Sequence, residues 1–141
     1  MVNGGLRIPL EVADELLAHA RADVPNEACG ILAGSLAEGT ARTYHPARNA
    51  DESPYVYTVH PEDLVRIVFG IEDAGDDLVA IFHSHTHTPA VPSPTDRRQA
   101  QYPDAFYVLA TLSDPEADAA AALRAWRIHD GAATEVPLTI G

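Results

Sequence analysis

The segment FHSHTHTPAVPSPTD, residues 82 to 96, carries the side chains best suited to chemistry. His83 and His85 are two residues apart at the end of an apolar run, and residues i and i+2 of a strand point to the same side. Asp96 could return to the same point if the chain folds back over the strand end. Two histidines and one carboxylate leave the fourth position of a zinc ion open, which is typical of catalytic rather than structural sites.

The same residues also allow a plainer interpretation. The tetrapeptide SPTD is by itself a capping box, in which Ser93 begins a helix and Asp96 follows three residues later. A single loop histidine needs no function beyond solvation. What favours the metal site is the conjunction of a buried strand ending in H-S-H, seven intervening residues and S-x-x-D.

This conjunction resembles the signature of the JAMM (MPN-plus) metalloproteases, which also has a glutamate far upstream. Here the signature lies on His83-Ser84-His85, residues 86 to 92, and Ser93 to Asp96. The segment PNEACGILAG, residues 25 to 34, resembles the strand entry that bears the glutamate in that family, with Glu27 in the critical place. The resemblance covers nearly the whole chain, and it is specific because five polar positions are fixed in order and context.

The resemblance implies a role for each of these residues. His83, His85 and Asp96 would hold one zinc ion per chain, which lowers the pKa of a bound water to about 7. Glu27 would take the proton of that water and pass it to the leaving amine. Ser93 would donate a hydrogen bond to the oxyanion of the tetrahedral intermediate, a role that competes with helix capping for the same hydroxyl.

Neighbouring polar side chains receive lesser roles. Ser84 should face away from the metal and fix the backbone at the strand end. His87 stays outside the metal site, because three ligands are already present and water needs the fourth position; it would line the substrate approach or simply be solvated. Cys29 has no local histidine to activate it, so we expect a small packed side chain rather than a nucleophile.

The composition excludes several classes of protein. One cysteine rules out an intrachain disulfide, a cysteine-rich zinc module and the P-C-x-x-C motif of the zinc deaminases. A net charge of −12, without any lysine, would repel phosphate backbones, so we expect no nucleic-acid partner. The scattered acids either steer a basic partner or reflect adaptation to high salt. With no signal-peptide or membrane-span pattern, a cytoplasmic location without membrane contact is expected.

The elements that must position these residues form one α/β domain over residues 1 to 141. The pattern predicts a single sheet with two or three helices, and the resemblance implies a JAMM/MPN domain, with a mixed, mainly antiparallel curved sheet and a layout similar to cytidine deaminases. Helices are predicted at residues 10–22, 60–75 and 93–101. Strands are predicted at residues 6–8, 28–36, 40–47, 55–59, 78–83, 105–112, 122–130 and 133–141, the last three pairing as a meander.

The resemblance also implies a substrate class. JAMM enzymes cut the bond that follows the C-terminal glycines of ubiquitin or ubiquitin-like proteins. This compact chain is similar to the small prokaryotic branch, including Mec-type hydrolases that trim sulfur carriers of the ThiS/MoaD type. We therefore expect a zinc peptidase or isopeptidase acting on the Gly-Gly tail of a ubiquitin-like or sulfur-carrier protein. A catalytically silent MPN scaffold and a metalloamidase acting on small molecules or peptides are the alternatives.

Overall fold

The computed structural model describes residues 4 to 141, which form one eight-stranded sheet and four helices. The strands are β1 (Leu6–Ile8), β2 (Cys29–Ser35), β3 (Thr40–Ala47), β4 (Asp77–His85), β5 (Phe106–Thr111), β6 (Leu123–His129), β7 (Ala132–Val136) and β8 (Leu138–Ile140). The helices are α1 (Leu10–Ala22), α2 (Pro61–Asp73), α3 (Pro94–Gln99) and α4 (Ala119–Ala122).

The strand order is β7-β6-β5-β4-β2-β3-β1-β8. Four of the seven neighbouring pairs are antiparallel, namely β2–β3, β2–β4, β5–β6 and β6–β7. The pairs β1–β3, β1–β8 and β4–β5 are parallel. The predicted mixed, mainly antiparallel sheet is therefore confirmed, and β5, β6 and β7 form the predicted meander.

The two edges of the sheet meet at Pro137. This single residue separates β7 from β8, which lie at opposite ends of the strand order. In a flat sheet those edges would be about 33 Å apart, because neighbouring strands are about 4.8 Å apart. The sheet must therefore curve until its edges adjoin, and the carbonyl of Pro137 accepts a hydrogen bond from the amide of Leu6 at 2.9 Å. The single strand predicted over residues 133–141 is wrong, because the chain changes its pairing partner at this proline.

Helices cover both faces of the sheet. On one face, Leu16 of α1 and Phe82 of β4 belong to the same buried cluster. On the other face, Ile67 of α2 and Ile81 of β4 belong to a second cluster. Because Ile81 and Phe82 are adjacent in β4, this strand is buried from both sides, as expected of a central strand. Residues 79–85 of β4, up to its C-terminal end, are consequently all buried.

Other boundaries differ from the sequence predictions. Residues 55–59 do not form a strand, and only Val59 makes an isolated bridge, to Asn49. Helix α3 ends two residues earlier than predicted, and the short α4 is not predicted by the sequence. Within residues 4–141, none of the helices has the length and apolar character needed to cross a membrane.

Candidate metal centre and active site

Three predicted ligands meet where β4 ends. His83 and His85 are alternate residues of β4, and α3 places Asp96 against them. The Oδ2 atom of Asp96 lies 3.1 Å from Nε2 of His83 and 3.0 Å from Nε2 of His85. The three ligand atoms lie within 4.8 Å of one another. Tetrahedral zinc with bonds of 2.0–2.1 Å needs ligand atoms about 3.3 Å apart, so this cluster has dimensions that suit such an ion.

The orientation of His85 is set by a backbone carbonyl. Its Nδ1 atom lies 2.8 Å from the carbonyl oxygen of Pro89, so a neutral ring carries its proton on Nδ1 and directs a lone pair from Nε2 toward Asp96. Two lone pairs would then face each other at 3.0 Å unless a cation lies between them or the ring is protonated. The donor set therefore fits a metal ion, because a carbonyl that orients the ligating imidazole is typical of metal sites.

The pKa of His85 reflects the same contacts. Burial lowers it, but the hydrogen bonds with Asp96 and with the Pro89 carbonyl, together with the charges of Asp96 and Glu27, leave the pKa above its usual value. Burial also tends to raise the pKa of Asp96, yet hydrogen bonds with His83 and His85 hold it well below its usual range. Asp96 is thus a carboxylate, the form that binds metals.

His83 is held in a neutral form. Its ring is 1% exposed and stacks on Tyr57 with a centroid distance of 4.3 Å and an interplanar angle of 18°. Burial lowers the pKa of His83 more strongly than Asp96 raises it. The neutral imidazole is the form that can ligate a metal. Tyr57 was not found from the sequence, because residues 55–59 are all aromatic or β-branched and therefore predict a strand.

Ser93 and Asp96 form the complete capping box. The hydroxyl oxygen of Ser93 accepts a hydrogen bond from the amide of Asp96 at 3.0 Å, and the Ser93 amide donates to Oδ2 of Asp96 at 2.9 Å. The capping box and the histidine contacts are thus present together. Because Ser93 caps as an acceptor, its O–H remains able to donate elsewhere, so capping and oxyanion binding would use different parts of the hydroxyl.

Glu27 lies beside the ligands. Cys29 pairs with His83 in the β2–β4 register, and the amide of Ser84 donates to the carbonyl of Ala28 at 3.0 Å. Continued by one residue, this antiparallel register places Glu27 next to His85. Glu27 is 3% exposed, and its Oε1 atom has no hydrogen-bond partner in the described part of the chain. A buried, unpaired carboxyl is unfavourable in a purely structural role and is typical of functional sites.

Burial controls the ionisation of Glu27. It raises the pKa of the carboxyl to about 8, with a further contribution from the charge of Asp96 and an opposing one from His85. A carboxyl that titrates in this range can both accept and release a proton near neutral pH.

The remaining predicted residues have distinct surroundings. The Ser84 hydroxyl accepts a hydrogen bond from the amide of Ala28 at 2.8 Å, so it fixes the backbone next to Glu27. His87 is exposed and does not belong to the ligand cluster. Cys29 is fully buried, and burial together with nearby acidic groups raises the pKa of its thiol to about 12, which keeps it protonated and unreactive.

A partly apolar cavity of about 330 Å³ adjoins the cluster, with Asp96 in its wall. Its other lining residues include Tyr57, Leu64, Ile81, Tyr102 and Tyr107. They come from the loop before α2, from α2, from β4, from the segment that leads into β5, and from β5 itself. An extended chain lying in this cavity would therefore reach the candidate metal ligands.

The fold agrees with the comparisons to known proteins. The family model of prokaryotic homologs of the JAB domain matches residues 9–129, so the chain belongs to that family, and the resemblance noted from the sequence is confirmed. Among solved structures, a protein from Desulfitobacterium hafniense superposes with a TM-score of 0.86 at 29% identity, covering 96% of this chain and 92% of that chain. A JAB1/MPN domain protein from Archaeoglobus fulgidus has a TM-score of 0.62 at 14% identity, covering 96% and 98%, and shares the fold.

Curated relatives carry more specific names. The CysO-cysteine peptidase of Mycobacterium tuberculosis is 41% identical over 135 residues, which are 96% of this chain and 90% of the relative. The desampylase of Haloferax volcanii is 40% identical over 114 residues, which are 77% of this chain and 82% of the relative. A probable TtuB-protein conjugate cleaving protease of Thermus thermophilus is 31% identical over 107 residues, covering 75% and 70%.

Proposed function

We propose that this chain is a zinc-dependent peptidase or isopeptidase that hydrolyses the bond after the C-terminal Gly-Gly of a ubiquitin-like or sulfur-carrier protein. One observation carries the proposal: His83, His85 and Asp96 converge beside the buried, unpartnered carboxyl of Glu27. The names of the relatives support the substrate class, since they refer to a CysO-cysteine peptidase, a desampylase and a protease for TtuB-protein conjugates.

In this proposal, His83, His85 and Asp96 hold the zinc ion, with His85 oriented by the carbonyl of Pro89. When bound, zinc supplies a water of lowered pKa and polarises the carbonyl under attack. The pKa of Glu27, which burial raises, would fall beside that positive charge, so the carboxylate form would prevail at neutral pH.

Glu27 and Ser93 perform the proton and charge chemistry. The Glu27 carboxylate takes a proton from the attacking water and delivers it to the departing amine, which otherwise would be a poor leaving group. The Ser93 hydroxyl donates to the oxyanion of the tetrahedral intermediate. A silent scaffold would have no use for an unpaired carboxyl at this position, so the arrangement favours catalysis.

The cavity beside Asp96 is the proposed path of the substrate tail. Glycines have no side chains, so a Gly-Gly tail can approach the ligand cluster closely while residues further along contact Tyr102 and Tyr107. The released group would be a C-terminal residue or an amine linked through a lysine side chain.

A direct test uses a small carrier protein that ends in Gly-Gly followed by one cysteine, and a second substrate in which Gly-Gly is linked to a lysine side chain. We expect the zinc-loaded chain to cleave after the second glycine, as measured by mass spectrometry. The matched substrate control replaces both glycines with alanine. Glu27→Gln should bind one zinc ion and lose turnover by about two to four orders of magnitude.

Three outcomes would contradict the proposal. Stoichiometric zinc binding without cleavage of either Gly-Gly substrate would remove the assigned substrate class, and cleavage of unrelated small peptides alone would indicate a metalloamidase. Normal turnover by Glu27→Gln would remove Glu27 from the mechanism.

A further inference from the structure

Asn49 lies two residues after β3 and is 8% exposed. Its carboxamide contacts the backbone of Glu27 and of the loop that precedes α2. We propose that Asn49 is a positioning residue, which fixes the Glu27 backbone so that its carboxyl lies beside the metal ligands. This inference rests on the proposed function, because it assigns Glu27 to the reaction.

The donor side of Asn49 connects two segments that are distant in sequence. Its Nδ2 atom lies 3.1 Å from the carbonyl oxygen of Glu27 and 3.0 Å from that of Val56. A third carbonyl, that of Ser53, is at 3.5 Å. Since an amide nitrogen has two hydrogens, the two shorter contacts use its donor capacity.

The acceptor side of Asn49 organises the loop. Its Oδ1 atom accepts hydrogen bonds from the amide of Asp51 at 3.0 Å and from the amide of Thr58 at 3.1 Å. Two donors and two acceptor positions are thus satisfied by one side chain of fixed length. Aspartate has no N–H groups and glutamine is one carbon longer, so only asparagine satisfies all four partners at this position.

Glu27 needs such support because it lies outside the sheet. Strand β2 begins at Cys29, so no strand ladder binds the Glu27 backbone. Its amide instead donates to the carbonyl of Ser53 at 2.8 Å, and its carbonyl accepts from Asn49. Both backbone groups of Glu27 are therefore held by Asn49 or by the loop that Asn49 organises.

The same loop also contacts β4 and the segment that follows it. Tyr57 stacks on His83, and the Thr86 hydroxyl donates to the carbonyl of Pro54 at 3.3 Å. These contacts fix the loop to β4, the strand that carries His83 and His85. The hydrogen bonds of the Asn49 side chain connect this loop to the Glu27 backbone. The ligands themselves belong to β4 and α3, so loss of the Asn49 contacts should displace Glu27 while the zinc set is retained.

The test compares Asn49→Asp and Asn49→Ala with the matched control Asn26→Ala. Asn26 is adjacent to Glu27, and its side chain makes no hydrogen bond within the described residues. Asn49→Asp keeps the acceptor oxygens for Asp51 and Thr58 but removes both donors. In both Asn49 variants we expect kcat on a Gly-Gly-Cys carrier to fall about 100-fold, because displacing the Glu27 carboxyl by about 1 Å would have an effect of that size. KM should change less than about threefold. Zinc stoichiometry should stay at one.

A double-mutant cycle separates positioning from general stability. In a Glu27→Gln background, Asn49→Asp should cause no further loss of kcat, since the group that it positions is already absent. Additive losses, or wild-type kcat in Asn49→Asp, would overturn the assignment. So would failure of both Asn49 variants to fold, which would make Asn49 a stability residue.

Amide hydrogen exchange provides a readout that needs no substrate. Asn49→Asp should increase exchange at the Glu27 amide, which bonds to Ser53, while amides of β4 and β5 exchange as in the wild type. Unchanged exchange at Glu27 would overturn the positioning role even if the wild-type chain cleaves Gly-Gly substrates. If the wild-type chain cleaves none of them, the proposed function fails, and the exchange measurement still decides whether Asn49 holds Glu27.

Discussion

His85 and Pro89 form a hydrogen bond of 2.8 Å between the ring Nδ1 and the backbone carbonyl. The two residues lie at the end of β4 and in the loop that leads to α3. This contact fixes which nitrogen of His85 faces Asp96, and it makes the loop conformation part of the candidate metal centre.

Zinc affinity should depend on pH through His85. Because contacts with Asp96 raise its pKa above the usual value of 6.5, the ring is protonated below that pKa, and zinc must displace the proton. We expect the apparent Kd for zinc to rise roughly tenfold for each unit that the pH falls below this pKa, as one proton is displaced. Calorimetry in buffers of different ionisation enthalpy measures the released proton. An affinity that is constant between pH 7 and 5 would contradict the assignment of His85 as a ligand.

Asp96→Asn should separate metal binding from helix capping. The amide oxygen can still accept the hydrogen bond from the Ser93 amide, so the variant should keep the capping box. The loss of the negative charge should weaken zinc binding by at least about 100-fold, since a neutral amide is a poor zinc ligand. Competition with a fluorescent chelator measures the affinity. Tight zinc binding by Asp96→Asn, or by Asp96→Ala, would leave only the capping role.

Trp126 supports the loop that orients His85. Its indole N–H donates to the carbonyl of Ala90 at 3.0 Å, one residue from Pro89. Trp126→Phe keeps an aromatic ring but loses this hydrogen bond, so we expect zinc affinity to fall by about tenfold, the low end of the range for groups that orient ligands. His87→Ala is the control, because His87 is an exposed residue of the same loop and should leave zinc bound. Loss of zinc in His87→Ala would show that His87 belongs to the metal site.

The convergence of the candidate metal ligands could be predicted from the sequence because its determinants are local. The apolar run of β4 indicates a buried strand, and the spacing of His83 and His85 puts them on one side of it. The S-x-x-D motif likewise fixes Asp96 at the start of a helix. The resemblance to a known family added Glu27, whose position depends on pairing between β2 and β4 and follows from no local pattern.

The contacts that support the site could not be predicted, because they join residues distant in sequence. Residues 55–59 have the β-rich composition of a strand, yet the amide of Thr58 and the carbonyl of Val56 bond to the side chain of Asn49 instead of to a neighbouring strand. An asparagine in a polar loop is unremarkable until its partners are known. Similarly, Pro137 gives no local sign that the strands on its two sides lie on opposite edges of a curved sheet.

Asp63 should stabilise the chain in a pH-dependent way. Its carboxylate accepts hydrogen bonds from the amide, Nε and Nη2 of Arg48 at 2.8, 3.0 and 3.0 Å, which hold the pKa of Asp63 well below its usual range. Asp63→Asn should lower the free energy of unfolding at pH 7 by about 1.5–3 kcal/mol, the value of charge-assisted hydrogen bonds.

The effect of Asp63 on stability should depend on pH. A carboxyl whose pKa is lower in the folded state than in the unfolded state stabilises the fold above the unfolded-state pKa, which is near 4, and this stabilisation is lost as the pH falls below that value. In urea titrations the difference between the two proteins should therefore shrink progressively as the pH falls from about 4 toward the folded-state pKa. Glu62→Gln, at an exposed and longer contact with Arg48, should match the wild type throughout. A difference that does not change with pH would show that Asp63 acts through packing and not through its charge.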